Sequence, residues 1–348
     1  MNIFRSHIPT YLILLSFITF FGCKHERQDD VEKYHQLVND AELAICEGEY
    51  RVALDNYGIA FRKIKRPFGK DLYNAALAAQ ASEFRAERDQ YLQQLIDGSE
   101  DIAILKAIFL SNFMTVQEWK ILEGNRVRAF NESLREEMEQ MKARDQQFRP
   151  DYDNYDDTIN AIRSANLKGL LQISETEGFP SQIEIGYSEN LRAQPHHLVL
   201  HHTAQRRSYD KSISDLEPTL RQAVTEGRLD PELAIRYLKY QDDQEKGKFE
   251  VYATWQYRHT LLPDSMSSSL WVPAFSRADL TEINELRSDW YANSIQDIQT
   301  KARYMEETSW PFIFTSVQKS VAELAEESTP EEAVEQYLLF TDGMKRVR

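Results

Sequence analysis

The sequence predicts a mainly α protein: a short array of antiparallel helix pairs packed with a second, mostly helical domain containing little strand. Three observations carry this. Apolar residues recur at spacings of three and four, as in Leu37, Ala41, Ala44 and Ile45. Helix breakers are scarce, with 12 Gly and 11 Pro in 348 residues, and they tend to fall between the periodic segments. Helix starts are marked: Asp230-Pro231 offers an N-cap and an N1 proline, and Asp279 with Glu282 and Thr329 with Glu332 read as capping boxes. The 42% hydrophobic content supports a sizeable core, and the length suggests two domains at about 150 residues each. A formal charge of -15 argues against a nucleic-acid binder and against anchoring by a basic patch on anionic lipid.

The first element is a leader. Arg5 precedes an apolar run from Ile8 to Phe21, and no acidic residue occurs before Glu26. That is the layout of a secretory signal, and the run is shorter than the roughly 20 residues a membrane span needs. The boundary Phe20-Phe21-Gly22-Cys23 resembles a bacterial lipobox, with Phe20 in place of the usual Leu. The resemblance implies a signal peptide over 1–22, cleavage before Cys23, a lipid on the Cys23 thiol and an acylated amine. It places the chain in the bacterial cell envelope. Lys24, where an inner-membrane retention Asp would stand, implies the outer membrane, on either its periplasmic or its surface face. An uncleaved anchor, or an ordinary signal followed by a chance cysteine, is the alternative. Cleavage would leave 40 basic side chains against 56 acidic ones, a net of -16. Cys46 would be the single thiol, unable to form an internal disulfide. Its place among Leu43, Ala44 and Ile45 predicts a buried, inert side chain.

Residues 23–33 are polar and charged and read as a solvated tether. Helical periodicity begins at Tyr34. Gly48-Glu49-Tyr50 then separates two periodic stretches, the second carrying Ala53, Tyr57 and Ala60. This pattern resembles a tetratricopeptide repeat, whose turn joins two antiparallel helices and whose small residues allow close approach. A second, degenerate copy covers Asp71–Ser82 and Phe84–Ile96. There Ala75 and Ala78 stand at small positions, Tyr91 is the packing aromatic, and Glu87 stands where Ala is expected. Asp101 to Leu122, with Phe109, Phe113 and Trp119, resembles the segment that closes such arrays. The repeat region spans 34–128. Two repeats bury too little by themselves, so the array is expected to lean on the second domain.

A charged connecting helix over 129–150 comes next, with Phe130, Leu134, Met138 and Met141 as its stripe. Asp151–Asp157 reads as an acidic linker, since it lacks the Gly and terminal Glu of a calcium loop. The second domain covers 151–310. It is expected to hold helices over Thr158–Glu177, Leu191–Thr203, Leu216–Glu226, Pro231 to about Lys246, and a long one from Asp279 to Tyr304. Phe249–Tyr257 is the best strand. Residues 311–348 are expected to be C-terminal helices, the last starting at Thr329.

Four histidines, His196, His197, His201 and His202, fall in one segment. His197 and His201 have the i, i+4 spacing of zinc ligands. No HExxH or CxxC accompanies them, so no metal or other cofactor is assigned. The plainer reading, one satisfied buried histidine with the others facing solvent, is favoured over a general acid/base. Asp145-Gln146-x-x-Arg149, Gly178-Phe179-Pro180, His201-His202 and Tyr252-Ala253-Thr254-Trp255 occur in that order. This resembles an uncharacterised bacterial domain-of-unknown-function family with the pattern D-Q-x-x-R, G-W-P, Q-H and Q-x-Y-G-T-Q, over about 141–258. The chain departs from it at His201, at Tyr240-Gln241, where the family has Asp-Arg, and at Glu250, Ala253 and Trp255. The resemblance implies a cleft around His202, with Asp145 and Arg149 as candidate catalytic partners and Tyr252 and Thr254 as candidate binding residues. His201, beside His202, and Trp255, an aromatic that suits a sugar or peptide, are candidate binding residues from their own residue types. The expected function is a membrane-anchored interaction lipoprotein with a protein, peptide or glycan partner. An envelope hydrolase centred on His202 is the alternative.

Overall fold

The computed structural model describes residues 10–148, 155–188, 191, 196–209, 215–241, 256–261, 269–273, 275–323 and 344–346. The chain is mainly helical, as its periodicity predicts. The first helix, α1 (Thr10–Cys46), runs through the segment expected to be a tether. The reason is visible from Val31 onward. Val31, Tyr34, Leu37, Val38, Ala41 and Ile45 form one buried stripe, so the helix face begins a turn earlier than Tyr34. Asp29, Asp30 and Glu32 lie off that stripe, and Asp30 pairs with Lys63 at 2.8 Å.

α2 (Tyr50–Ala60) pairs with α1, and α3 (Gly69–Ala81) with α4 (Arg85–Gly98). Ala53, Tyr57, Ala60, Ala75 and Ala78 are all fully buried between these helices. The two turns are built alike. In the first, the Glu49 amide donates to the Ala44 carbonyl at 2.8 Å, with Gly48 at φ +78. In the second, the Phe84 amide donates to the Ala79 carbonyl at 2.8 Å, with Glu83 at φ +63. A left-handed residue ends each first helix; glycine supplies it without strain only in the first. The Arg51 guanidinium lies over the Phe84 ring at 4.3 Å, and Phe61 meets Tyr91 edge to face, so the pairs are stacked on each other.

α5 (Ala103–Asn112) and α6 (Val116–Gly124) close this region, the second opened by a Thr115–Glu118 capping box. Next come α7 (Glu132–Gln146), α8 (Asp156–Thr176) and the single turn α9 (Gln182–Ile185). α10 (His197–Tyr209), α11 (Glu217–Thr225) and α12 (Pro231–Gln241) follow. α10 begins six residues later than the helix expected from Leu191. Asp230 caps α12 as predicted, accepting from the Glu232 amide at 2.9 Å.

The expected long helix from Asp279 to Tyr304 is two helices, α13 (Arg277–Ser288) and α14 (Ile295–Glu307). Each starts with its own capping box, Ser276 with Asp279 and Ser294 with Asp297, and Tyr291 turns the chain between them at φ +58. The serine caps compete with helical continuation for the same backbone amides, and that ends the first helix.

A small mixed sheet completes the described residues. β1 (Gln256–Leu261) pairs antiparallel with β2 (Ser269–Pro273) and parallel with β3 (Gln318–Glu323); β4 (Met344–Arg346) pairs antiparallel with β2. Only Gln256 and Tyr257 of the expected strand fall in β1; residues 249–255 lie outside the described residues. β3 and β4 stand where C-terminal helices are expected. Strand pairing across about 60 residues leaves no local periodic signal in such short segments. The expected start at Thr329 lies outside the described residues.

One hydrophobic core runs from Tyr34 to Val317 without a break, so the helix pairs do lean on the later helices. Tyr187 is one joint. Its ring lies against Gly69 and Gly98, where side chains would collide with it, and its hydroxyl donates to the Pro67 carbonyl at 2.9 Å. Its amide donates to the Gly98 carbonyl at 2.7 Å.

Candidate functional site

Asp145 and His202, 57 residues apart, meet. Leu134, Met138, Met141 and Asp145 sit at spacings of four, three and four on α7, and all four are buried. The acid thus continues an apolar stripe and points where core side chains point. α10 packs against both α7 and α8. There the His202 Nδ1 lies 2.7 Å from the Asp145 Oδ2, with 6% of His202 and 2% of Asp145 exposed. Gln146 Nε2 donates to the same carboxylate oxygen at 2.6 Å. A carboxylate accepting from Nδ1–H sets the tautomer that leaves Nε2 as the basic nitrogen. An imidazole oriented in this way is the base-and-orienter half of an acid/base site.

The remaining candidates divide. His201 lies edge to face with His202 at 5.3 Å, so it belongs to the same cluster. Arg149, Tyr252, Thr254 and Trp255 lie outside the described residues. The backbone at Cys23 is helical, and its side chain is not described. Cys46 is half-buried rather than fully buried, and burial pushes its thiol up to about 12, which keeps it an unreactive thiol.

The histidines of α10 and its entry are not equivalent. His197 and His201 stack at 6.0 Å, and His197 Nδ1 lies 2.9 Å from the Tyr237 hydroxyl. Burial, with the neighbouring His201, Arg236 and His202 adding to it, holds His197 down to about 4. His196 is fully buried, meets the Phe179 ring edge to face, and is held down to about 3 by burial. Among the described residues, no group of three or more His, Cys, Asp or Glu side chains is placed to hold a metal ion.

Two further features have no counterpart in the sequence patterns above. The first is a buried ionic network joining α1, α3, α14 and the start of α12. Lys301 Nζ donates to Glu42 and to Asn39, both at 2.6 Å. Lys70 Nζ lies 2.6 Å from Asp71, 3.2 Å from Glu42 and 3.7 Å from Asp230. The Tyr34 hydroxyl donates to Asp71, and Thr315 donates to Asp230 at 3.2 Å. Three acids share two ammonium groups. Burial pushes Glu42 up, but Lys301 and Lys70 outweigh it and hold it low. Asp71 is the acid nearest to Lys70, yet burial pushes it up to about 6. The available signal is a charge at a stripe position, as with Lys301 beside Ile298 and Ala302.

The second feature is a groove of about 860 Å³ between the turn after α2, the entry to α7, α9 and the α11–α12 turn. Its rim carries Lys63, Lys65, Arg66, Arg128 and Arg228, and its floor Val31, Ile64, Phe130 and Ile183.

Compared with known proteins, the chain matches no family model, no curated protein and no solved structure. Among the described residues no helix is long and apolar enough to cross a membrane.

Proposed function

We propose that the chain is a membrane-anchored interaction lipoprotein of the bacterial cell envelope, held by a lipid on Cys23 and binding a protein, peptide or glycan partner. The observation that carries the interaction reading is the groove of about 860 Å³, a size suited to a ligand, set on helices that share one continuous core. The likeness of α1–α2 and α3–α4 to tetratricopeptide pairs supports it, since both turns share one hydrogen-bonding plan. The test is a pull-down from native envelope membranes with the full chain against Cys23→Ala. The full chain is expected in the detergent phase with an enriched partner, and Cys23→Ala in the aqueous phase without it. A pull-down that enriches nothing above the Cys23→Ala control sinks the reading.

One observation favours the second reading, an envelope hydrolase: the 2.7 Å contact between His202 and Asp145. In it Asp145 positions the imidazole and Nε2 takes the proton. His202→Ala and Asp145→Asn then each abolish the cellular phenotype of the full chain while the far-ultraviolet dichroism stays native. Unfolding of both variants, or native activity in both, makes the pair a packing contact instead.

A further inference from the structure

We propose that the groove between the α2–α3 turn, the start of α7 and the α11–α12 turn receives an acidic peptide segment that also carries apolar side chains. The inference rests on the interaction reading above and narrows it to one surface and one class of partner.

The first argument is charge. The whole chain has 41 Lys and Arg against 56 Asp and Glu. The groove inverts that balance, with five basic residues against Glu184 and Glu226. Arg228 answers both of these acids, at 2.9 and 3.3 Å. Lys63 is paired with Asp30 and Arg128 with Glu132, both in exposed or half-exposed surroundings where such pairs exchange easily with another carboxylate. Lys65 and Arg66 are exposed and have no carboxylate partner among the described residues; Arg66 donates to the Ala129 carbonyl at 2.6 Å. A local positive field in an otherwise acidic molecule attracts anions to this place and repels them elsewhere.

The second argument is shape. Val31 is 1% exposed and lies at the bottom, with Ile64, Phe130 and Ile183 around it. Gly227, at φ +68, keeps the floor open, because a Cβ there would stand 3.3 Å from a Val31 methyl. A flat bilayer reaches the basic rim but not this recessed apolar floor. Free phosphate engages the cations and leaves the floor uncovered. An acidic peptide with apolar residues satisfies both, carboxylates at the rim and side chains below.

The probe is a labelled short peptide alternating Asp and Leu, with the Asn–Leu peptide, phosphatidylglycerol vesicles and inorganic phosphate as separate arms, on the full chain in detergent. The Asp–Leu peptide is expected to bind, to weaken as salt rises, and to lose about tenfold in affinity with Lys65→Glu/Arg128→Glu. Lys65→Gln/Arg128→Gln loses less in the same direction, which separates lost attraction from misfolding. No binding, equal binding of the Asn–Leu peptide, binding of vesicles or phosphate alone, or unchanged affinity in the variants overturns the proposal. A pull-down partner retained by Lys65→Glu/Arg128→Glu overturns the groove and leaves the interaction reading standing.

Discussion

Lys301→Ala is expected to lower unfolding free energy by about 3–5 kcal/mol, the range for breaking a buried ion pair from one side. Lys301 is 0% exposed and its ammonium touches Glu42 and Asn39, both on α1. Without it, Glu42 keeps only Lys70, which Asp71 and Asp230 also require. Three buried acids then share one cation, and a charge without a partner in the interior costs several kcal/mol. The loss falls on the joint between α14 and α1, so the ends of the chain should separate first. Urea unfolding followed by dichroism gives the size, and hydrogen exchange gives the place. Replacing Glu42 and Lys301 together by Leu and Met should recover much of the loss, because desolvation is removed along with attraction. A loss below about 1 kcal/mol for Lys301→Ala would show the pair to be solvated and the network incidental.

Acid should begin to destabilise the fold as pH falls below about 6.5, well above the range in which ordinary carboxylates protonate, and go on doing so to about pH 4. Burial holds His35 down to about 3, His196 to about 3 and His197 to about 4. Their charged forms belong to the unfolded chain. The stability they contribute is therefore complete above about pH 6.5 and is lost as pH falls towards those values. Each costs about 1.4 kcal/mol per pH unit within its window. Asp71 works the other way. Its folded value is raised to about 6, so it protonates more readily in the fold and offsets one histidine between about pH 6 and 4. The net uptake on unfolding near pH 5 is about two protons, or roughly 3 kcal/mol per pH unit. Against a typical total of about 5–15 kcal/mol, the fold should fail within a few units. Denaturation midpoints from about pH 7.5 to 4 test this. His196→Phe, which keeps an aromatic edge against Phe179, should lower the slope by about one proton. A flat profile from about pH 7 to 5 would mean that these imidazoles are hydrated in the fold.

Much of the helical architecture is legible because it is local. Ala53, Tyr57 and Ala60 repeat at helical spacing, and the structure buries all three. Asp230-Pro231 starts a helix because an N-cap acid and a fixed φ act over three residues. The joining of Asp145 to His202 is implied by the family resemblance. It also leaves a physical trace, since Asp145 stands in register with Leu134, Met138 and Met141. The elements that differ from expectation are those decided by competition or distance. α13 and α14 split because Ser294 caps a new helix, although the periodicity permits one long one. β3 forms because β1 lies beside it, which its own six residues do not announce.

The sequence by itself determined the helical character, several helix boundaries, the charge excess and the position of the one cysteine that follows an apolar run. These depend on periods, caps and counts within a few residues. The tertiary structure alone decided which charges are buried together and which stay at the surface. Glu42, Lys70, Asp71, Asp230 and Lys301 look like ordinary surface charges until four helices close over them. Lys65, Arg66 and Arg128 look like a minority in an acidic chain until two turns bring them around one groove. Charge acts through space at short range in a low dielectric, and sequence distance says nothing about that separation.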